Sequence, residues 1–314
     1  MKNKKVVVTG GAGFIGANIS ETLCCSNEVT IVDDLSTGRI SNVLEFIESK
    51  KVKFVKGSVT DLSLLKEAFN GADFVLHQAA IPSVPRSVLD PIKTNEAGIT
   101  GTLCVLVAAR DCGVKKVVYA SSSSVYGEMS TLPKREDMEP KPMSPYALTK
   151  LAGEHYCRIF TELYGLKTVA LRYFNVYGPR QDPVSEYAAV VPKFIDCALK
   201  GEAMPIYGDG YQTRDFTYVK DVVRANILAA ESEVTGVYNI AGGKKVSIFE
   251  LARIVSEITG SEMRVQFLEP RTGDVRESWA DISKAKRDLG FEPKYSLRAG
   301  LEETIKWFKC RERE

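Results

Sequence analysis

Tyr146 and Lys150 lie four residues apart in a stretch, 145–164, whose pattern predicts a helix. On a helix this spacing puts both side chains on one face, so the lysine ammonium can act on the phenol. Tyrosine titrates near about pH 10, and a base near neutrality needs a pKa lowered by about 3, or about 4 kcal/mol. The ammonium can supply part of this, and a positively charged cofactor ring beside the phenol can supply the rest. The same spacing occurs by chance on many helices, so its meaning depends on the surrounding fold.

Three glycines, Gly10, Gly13 and Gly16, follow a β-branched apolar strand that ends at Thr9. Their spacing lets the chain turn tightly, bring backbone N–H groups to a phosphate and pack the next helix on the sheet. The predicted helix covers 14–25. The run therefore predicts a dinucleotide site, and the alternative is a glycine-rich turn that binds nothing.

Asp33 and Asp34 follow a second predicted strand at 28–32. An acidic side chain about twenty residues beyond such glycines holds the ribose 2′-hydroxyl, and its charge repels a 2′-phosphate. The sequence therefore predicts NAD rather than NADP.

Composition excludes several classes of protein. The chain has 314 residues, 44% of them hydrophobic, and a net charge of +2, which gives no indication of nucleic-acid or membrane binding. The basic start leads directly into the first strand without a signal-peptide region. Seven cysteines without C-x-x-C spacing and two distant histidines argue against disulfides and against a metal site. We expect a reduced, cytoplasmic protein.

Apolar and amphipathic stretches alternate along the chain as in βαβ units. This alternation predicts an α/β fold, a doubly wound parallel Rossmann sheet with a smaller, interleaved C-terminal substrate domain. We expect the dinucleotide-binding domain at 1–172, with a later strand returning to it, and the substrate domain mainly at 173–314. Further strands are predicted at 53–55, 73–77, 117–120, 168–172 and 237–240, and helices at 100–112, 145–164 and 247–259.

Four serines, 121–124, follow the fifth predicted strand. Hydroxyl groups at the carboxyl end of a strand face the crevice in which open α/β sheets bind ligands. A flexible polar loop is the alternative.

These features together resemble the extended short-chain dehydrogenase/reductase family and, more narrowly, the UDP-hexose 4-epimerases, over nearly the whole chain. The resemblance implies an isomerase with tightly bound NAD that oxidises a UDP-hexose at C4 and returns the hydride to the opposite face. It also implies a homodimer. The matching segments are 77–80, 83–87, 172–180, 208–210, 214–216 and 271–274.

The resemblance assigns roles to individual residues. Ser122 binds the sugar O4 with Ser123 close by, Tyr146 is the base, and Lys150 is its electrostatic partner and also contacts the nicotinamide ribose. Surface ion pairs are the alternative for the arginines, above all for Arg180. The implied cofactor residues are Gly10, Gly13, Phe14, Ile15, Gly16, Asp33, Asp34, Ser58, Val59, Gln78, Ala79, Ala80, Tyr146 and Lys150. The implied substrate residues are Ser83, Val84, Ser122, Asn175, Val190, Tyr207, Arg214, Arg271, Asp274 and Ser278.

The chain departs from the family pattern at two positions. Many relatives have an aspartate where Ser58 stands, and they often have an asparagine where Gly98 precedes Gly101 and Thr102. At these two positions the chain therefore lacks the side chains that the family uses in the adenine pocket and for one pyrophosphate contact, although Asn95 lies one turn earlier.

Ser278 bears on the choice of sugar. In the family a bulky tyrosine there accompanies restriction to plain hexoses, and small residues accompany acceptance of N-acetylhexosamines. We therefore expect UDP-GlcNAc and UDP-GalNAc, with UDP-glucose and UDP-galactose as the alternative. The segment 83–87 also resembles the N-acetylhexosamine group. A uronic acid substrate needs an extra cation, which the sequence does not clearly identify.

Other activities fit less well. A 4,6-dehydratase needs an acid pair after the strand-end hydroxyl, and a nucleotide-sugar decarboxylase usually has a glutamate there, whereas 122–124 carries no carboxylate. A dinucleotide-binding regulator has no use for the tyrosine and lysine. For the implied homodimer, the sequence offers a face made of Leu103, Leu106, Val107, Cys157 and Phe160, although some of these can equally pack on the sheet.

Overall fold

A computed structural model describes residues 1–128, 131–183, 189–270 and 276–311. Seven strands form one sheet, and all of its neighbouring pairs are parallel. Six short strands form three further pairs. The strands are β1 (Lys5–Thr9), β2 (Glu28–Asp33), β3 (Val52–Lys56), β4 (Phe74–His77), β5 (Lys116–Ser122), β6 (Lys167–Tyr173), β7 (Val176–Tyr177), β8 (Met204–Tyr207), β9 (Thr213–Arg214), β10 (Thr217–Tyr218), β11 (Gly236–Ile240), β12 (Val246–Ser247) and β13 (Val265–Leu268).

The large sheet has the order β11-β6-β5-β4-β1-β2-β3. The chain reverses its direction of winding between β1 and β4, and this switch point is where open α/β sheets bind ligands. The predicted doubly wound Rossmann fold is confirmed. The predicted strand at 237–240 returns to this sheet as β11, beside β6.

Helices cover both faces of the sheet and build the second half of the chain. They are α1 (Phe14–Leu23), α2 (Leu44–Glu48), α3 (Leu62–Phe69), α4 (Val84–Leu89), α5 (Pro91–Asn95), α6 (Gly101–Asp111), α7 (Pro145–Tyr164), α8 (Val190–Lys200), α9 (Val219–Glu231), α10 (Ile248–Thr259), α11 (Ser283–Leu289) and α12 (Leu297–Arg311).

The ends of α7 follow from local sequence. The Ser144 hydroxyl accepts a hydrogen bond from the Ala147 N–H at 3.1 Å, and Gly165 ends the helix in the left-handed conformation. The predicted span 145–164 is confirmed. Ser247 caps α10 in the same way, as predicted, whereas α1 ends at Leu23, two residues earlier than expected.

The helix predicted at 100–112 is the last part of a longer helical run. It starts with α4 and α5 and passes through a π-helical turn, Glu96–Thr100, into α6. Within that turn a Cβ on Gly98 would lie 2.6 Å from Thr149 Cβ on α7. The glycine therefore lets the two helices approach closely, which an asparagine at this position would prevent.

A second apolar core lies in the C-terminal half, where α8, α10 and α12 pack together through residues such as Phe194, Leu251 and Ile305. The sequence predicted α10 but not α8, α9 or the short strands. Because α9 and β11 pack on the large sheet, residues after 172 contribute to both cores. The division into two domains remains a prediction.

Three residues of the expected dimer face are buried within the subunit. Leu106, Cys157 and Phe160 are at most 4% exposed and belong to the core under the sheet. Leu103 and Val107 are only partly buried. Leu106, Cys157 and Phe160 therefore pack on the sheet, which was the alternative to a place in the dimer face.

Among the described helices, none has the length and apolar character needed to cross a membrane.

Candidate functional site

A cleft of about 470 Å³ opens at the carboxyl ends of the central strands, and we call it the first cleft. It brings together all the residues predicted for the cofactor, whose role in binding remains a prediction. Those residues are Gly10, Gly13, Phe14, Ile15, Gly16, Asp33, Asp34, Ser58, Val59, Gln78, Ala79, Ala80, Tyr146 and Lys150.

The glycine loop leaves no room for side chains. Gly10 has a φ of +66°, and a Cβ there would lie 2.6 Å from the Ala79 backbone nitrogen. A Cβ on Gly16 would lie 2.2 Å from the Gly10 carbonyl oxygen. The amino end of α1 is thereby exposed to the first cleft as a site for a pyrophosphate. The loop fits a dinucleotide on geometry alone.

Asp33 ends β2 beside this loop and is 7% exposed. Its carboxylate accepts hydrogen bonds from the Ala12 N–H at 2.9 Å and the Leu35 N–H at 2.8 Å. Burial raises the pKa of Asp33, although these hydrogen bonds oppose the shift. A ribose hydroxyl can donate to this carboxylate without bringing charge, whereas a 2′-phosphate would be repelled.

Residues 179–182, which we call the strap, reach the rim of the first cleft near the glycine helix. The Pro179 carbonyl accepts a hydrogen bond from Asn18 Nδ2 at 3.1 Å, and Arg180 pairs with Glu21 at 2.8 Å. Asp182 pairs with Arg39, and both line the cleft. Arg180 therefore forms the ion pair that the sequence analysis gave as the alternative to a role in ligand binding.

Lys150 is 4% exposed, and its Nζ donates to the Ala120 carbonyl oxygen at 2.7 Å. The same atom lies 5.7 Å from the centroid of the Tyr146 ring. Burial lowers the pKa of Lys150 to about 8, and burial raises the pKa of Tyr146, which a hydrogen bond with Ser122 partly offsets. Ionising Tyr146 near neutrality therefore requires additional positive charge at its ring.

The strand-end serines differ in what they contact. Ser121 lines the first cleft, and its hydroxyl donates to the Glu154 carboxylate. The Ser122 Oγ accepts from the Ser124 N–H at 3.2 Å and begins a short 3₁₀ turn, Ser123–Tyr126. Ser122 is thus held by its own turn next to Tyr146. Ser123 starts this turn, and neither it nor Ser122 is among the described residues that line the cleft.

Gln78, Tyr173 and Asn226 form a closed set of hydrogen bonds at the base of the first cleft. Gln78 Nε2 donates to Asn226 Oδ1 at 3.0 Å, and the Tyr173 hydroxyl donates to Gln78 Oε1 at 3.2 Å. Asn226 Nδ2 donates to the Tyr173 hydroxyl at 2.8 Å. The Gln78 amide is therefore fixed before any ligand binds.

A second cleft of about 230 Å³ shares Ala189 with the first as a wall. Its side chains are held by local contacts: Asn175 Nδ2 donates to the Asp215 carbonyl at 3.1 Å, and Gln212 Nε2 donates to the Tyr207 carbonyl at 2.6 Å. The predicted substrate residues along it are Asn175, Val190, Tyr207 and Arg214. The two clefts are therefore adjoining spaces.

The remaining predicted substrate residues divide into three groups. Ser83 lines the first cleft with a φ of +97°, and among the described residues its buried Oγ has no hydrogen-bond partner. Val84 is 42% exposed, and Ser278 is half-buried. The Ser278 N–H donates a hydrogen bond to the Thr213 carbonyl at 3.1 Å. Neither residue is among the described residues that line a cleft. Arg271 and Asp274 lie outside the described residues.

The sequence analysis missed several residues that line the clefts. Four of them lie in the segment 36–42, shortly after Asp33 and Asp34. Their position after the acidic residues was the signal that could have identified them. Arg86 lies within a segment already matched to the family, and Gln212 directly precedes β9. The missed polar residues include Ser36, Thr37, Arg39, Asn42, Arg86, Gln181, Asp182 and Gln212, whereas Ser121 belongs to the serine run that was expected to face the crevice.

His77 has a structural role, as expected. Its ring is buried between the Thr9 hydroxyl, at 2.7 Å, and the Thr102 hydroxyl, at 3.1 Å. Burial lowers the pKa of His77 to about 3, so the ring is neutral and is not an acid–base group near neutrality.

The site therefore combines a glycine loop at the amino end of a helix, a phenol with a lysine beside it, and an adjoining second cleft. Comparison with known proteins identifies the family. The profile of the NAD dependent epimerase/dehydratase family matches residues 6–241.

Three solved structures are similar over almost the whole chain. UDP-N-acetylglucosamine 4-epimerase from Methanobrevibacter ruminantium M1, in complex with UDP-N-acetylmuramic acid, is 45% identical, with a TM-score of 0.96 over 99% of this chain and 100% of that one. UDP-glucose 4-epimerase from Thermotoga maritima, with UDP-glucose, is 40% identical, with a TM-score of 0.93 over 98% and 99%. UDP-glucuronic acid 4-epimerase from Bacillus cereus, with UDP-glucuronic acid and NAD, is 34% identical, with a TM-score of 0.90 over 98% and 99%.

Proposed function

We propose that this chain, which belongs to the NAD-dependent epimerase/dehydratase family and is a UDP-sugar 4-epimerase that uses NAD, acts on UDP-GlcNAc and UDP-GalNAc. The observation that carries the chemistry is the group formed by Tyr146, Lys150 and Ser122 beside the glycine loop. The choice of sugar depends on Ser278.

Tyr146 is the base that removes the proton from the sugar 4-hydroxyl. Ser122 hydrogen-bonds that oxygen and the phenol, so the proton has a short path. The Lys150 ammonium favours the phenolate form of Tyr146 through its charge. The residues of the first cleft would hold NAD, which would supply a hydride acceptor and then a hydride donor, so that the cycle has no net oxidation.

The second cleft holds the UDP moiety while the sugar turns over. Tyr207 offers an aromatic face to the uracil, and Arg214 a cation to the diphosphate. An anchored UDP lets the keto sugar rotate without leaving, so that the hydride would return to the opposite face of C4 while Tyr146 returns a proton to O4. Arg271 and Asp274 are proposed to contact the same UDP on the strength of the family resemblance.

A small side chain at position 278 supports the N-acetylhexosamine assignment. Ser278 is hydrogen-bonded through its backbone to Thr213, which directly precedes Arg214 of the second cleft. A large side chain there would fill space that an acetamido group needs. The relative with 45% identity is named a UDP-GlcNAc 4-epimerase, which favours the same sugar.

Two other substrates remain as alternatives. UDP-glucose and UDP-galactose fit any pocket that admits the larger sugars, since the 2-hydroxyl is smaller than an acetamido group. UDP-glucuronate needs a cation near its carboxylate, and Arg86 lines the first cleft in the same segment as Ser83. Arg86 therefore makes the uronic acid a specific second candidate.

The test compares kcat/KM for UDP-GlcNAc, UDP-glucose and UDP-glucuronate in the native chain, in Ser278→Tyr and in Ser278→Ala. We expect Ser278→Tyr to lose most activity on UDP-GlcNAc and to keep activity on UDP-glucose, because a clash raises only one transition state. Ser278→Ala is the matched control, since it stays small and should keep the native preference. Equal losses on both sugars in Ser278→Tyr would refute the role of this position.

The chain is also proposed to form a homodimer. Four large apolar side chains are more than half exposed on α4, on α5 and on the first turn of α7, and these helices contact one another. A second copy would cover them. The side chains are Val88, Leu89, Ile92 and Leu148.

Ile92→Lys tests this dimer, with Phe267→Lys as the matched control because Phe267 is 55% exposed on β13. We expect sedimentation to give a dimer for the native chain and the control and a monomer for Ile92→Lys. A native monomer at micromolar concentration would contradict the proposal.

All seven cysteines are free thiols, which supports a proposed location in the reducing cytoplasm.

A further inference from the structure

A buried ion pair lies behind the strand-end serines. Arg172 on β6 and Glu154 on α7 have side chains that are 3% and 4% exposed. The guanidinium donates a hydrogen bond to each carboxylate oxygen, from Nε to Oε1 at 2.8 Å and from Nη2 to Oε2 at 2.7 Å. This fork geometry fixes the relative orientation of α7 and β6.

The same carboxylate contacts a residue that lines the first cleft. Glu154 accepts the hydrogen bond from Ser121, and Lys150 donates to the carbonyl of the preceding residue, Ala120. Tyr146, Lys150 and Glu154 follow each other at successive turns of α7. Helix α7 therefore holds the end of β5 at two adjacent residues, one turn and two turns from the tyrosine.

On its other side Arg172 is held by a second set of contacts. Its guanidinium carbon lies 4.6 Å from the centroid of the Tyr126 ring, and the Tyr126 hydroxyl donates to Asn239 Oδ1 at 2.7 Å. Asn239 is the register neighbour of Arg172 across β6 and β11, and Ser121 is its neighbour across β5 and β6. Three strands are thus tied together level with the catalytic serines.

Asn239 extends these contacts to the segment that carries Ser278. Its Nδ2 donates to the Lys134 carbonyl at 2.9 Å and to the Asp281 carbonyl at 3.2 Å. The Lys134 N–H donates to the Trp279 carbonyl at 2.9 Å. The buried pair therefore lies between the end of β5 and the segment proposed to line the sugar pocket.

Stability alone does not account for charges at this place. Removing two charges from water is costly, and apolar side chains of similar volume are often at least as stabilising. An ion pair with forked hydrogen bonds differs from apolar packing in fixing one geometry. A misplacement of about 1 Å at reacting groups can cost about 100-fold in rate.

We propose that Glu154 and Arg172 are positioning residues that act through Ser121 to fix the end of β5, and with it Ser122, against Tyr146. They touch neither substrate nor cofactor in this role. The proposal rests on the proposed function, because its effect is measured as epimerisation.

The main test is the double variant Glu154→Leu/Arg172→Met, which removes both charges and leaves neither unpaired. We expect it to fold and to retain NAD, with kcat about 10- to 100-fold lower and KM within about twofold of the native value. The matched control, Glu262→Leu/Arg264→Met, removes an exposed pair at 2.8 Å and should leave both constants unchanged. A stable double variant with native kcat would overturn the proposal.

A second measurement shows whether the pair acts through Ser121. In the native chain Ser121→Ala should lower kcat, and Ser121→Thr, which keeps the hydroxyl, should restore most of it. In the double variant Ser121→Ala should have no further effect, since the partner of the hydroxyl is already gone. Independent, multiplicative losses would overturn the proposal.

If the double variant fails to fold, the two Ser121 variants decide, because they keep the ion pair intact. Native kcat in Ser121→Ala would then refute the role of the pair. A native chain that converts no UDP-sugar would instead refute the proposed function, so the two failures are distinguishable.

Discussion

Replacing Lys150 with methionine isolates the charge beside the phenol of Tyr146, the proposed base. Methionine has nearly the length of lysine and no charge, so the variant keeps the packing between α7 and β5. It loses the ammonium 5.7 Å from the centroid of the Tyr146 ring and the hydrogen bond to the Ala120 carbonyl. We expect Tyr146 to ionise much less readily.

The magnitude follows from the distance. A unit charge at about the distance between Lys150 Nζ and the Tyr146 ring centroid, 5.7 Å, interacts with a phenolate by about 3 kcal/mol at an effective dielectric constant of about 20. Loss of this energy raises the pKa of Tyr146 further and lowers its phenolate fraction about 100-fold. Burial already raises the pKa of this tyrosine. Loss of the Lys150 ammonium removes a positive charge that favours the phenolate, so ionisation becomes still less favourable. At about pH 7, kcat should therefore fall about 100-fold.

The assay is the pH dependence of kcat between about pH 6 and about pH 9, with bound NAD quantified in each preparation. In the variant kcat should rise about tenfold per pH unit towards the native value, because the phenolate fraction limits the rate. Lys116→Met is the matched control, since Lys116 is buried at the other end of β5 and burial also lowers its pKa to about 8. Its kinetics should stay native.

A loss of kcat with an unchanged pH profile would refute this reasoning. It would mean that Lys150 acts by holding the cofactor, as the ribose contact implied by the family would allow. A native rate at about pH 7 would refute any role in catalysis.

Three further predictions concern the same clefts. Tyr146→Phe should keep the fold and the bound NAD but lower kcat about 100- to 10,000-fold in steady-state assays, and a near-native rate would exclude Tyr146 as the base. Asp182→Ala breaks the ion pair between the strap and Arg39, so NAD should dissociate faster on dialysis than from the native chain or from Asp137→Ala, which loses an exposed pair; equal rates would mean that the strap does not retain the cofactor. Lys150→Met should raise the free energy of unfolding by at most about 3 kcal/mol below about pH 8, because burial lowers the folded-state pKa of Lys150 from 10.5 to about 8, and the gain should vanish as the pH rises to about 10.5; a gain that persists at that pH would contradict this linkage.

The large sheet and the glycine loop could be predicted because their signals are local. The strand before Gly10 is β-branched and apolar, and Ser144 and Gly165 mark the ends of α7 within the sequence itself. The cofactor residues come from such segments, which explains why all of them meet at the first cleft. Their meeting follows from the common carboxyl edge of a parallel sheet.

The second half could not be predicted in the same way. Strands β7, β9 and β10 have two residues each and exist only because a partner strand is nearby, so no local pattern announces them. The helices α8 and α9 were also missed, although both have buried faces.

The contacts that organise the site connect distant parts of the chain. Arg39 and Asp182 are 143 positions apart, and Ser121 and Glu154 are 33 apart. Sequence alone gives no measure of which charged residues meet across such distances. The serine run illustrates the limit, since it indicated hydroxyl groups at a strand end but not that Ser121 lines the cleft while Ser122 bonds to Tyr146.

The most direct test of the account uses UDP-GlcNAc carrying deuterium at C4. The account predicts that the deuterium leaves C4 as deuteride and returns to C4 in the same cycle, while Tyr146 takes and returns the proton of the 4-hydroxyl. The product is then UDP-GalNAc with deuterium retained at C4, and no reduced cofactor accumulates. Loss of the label to solvent, or no interconversion of the two sugars, would contradict the account.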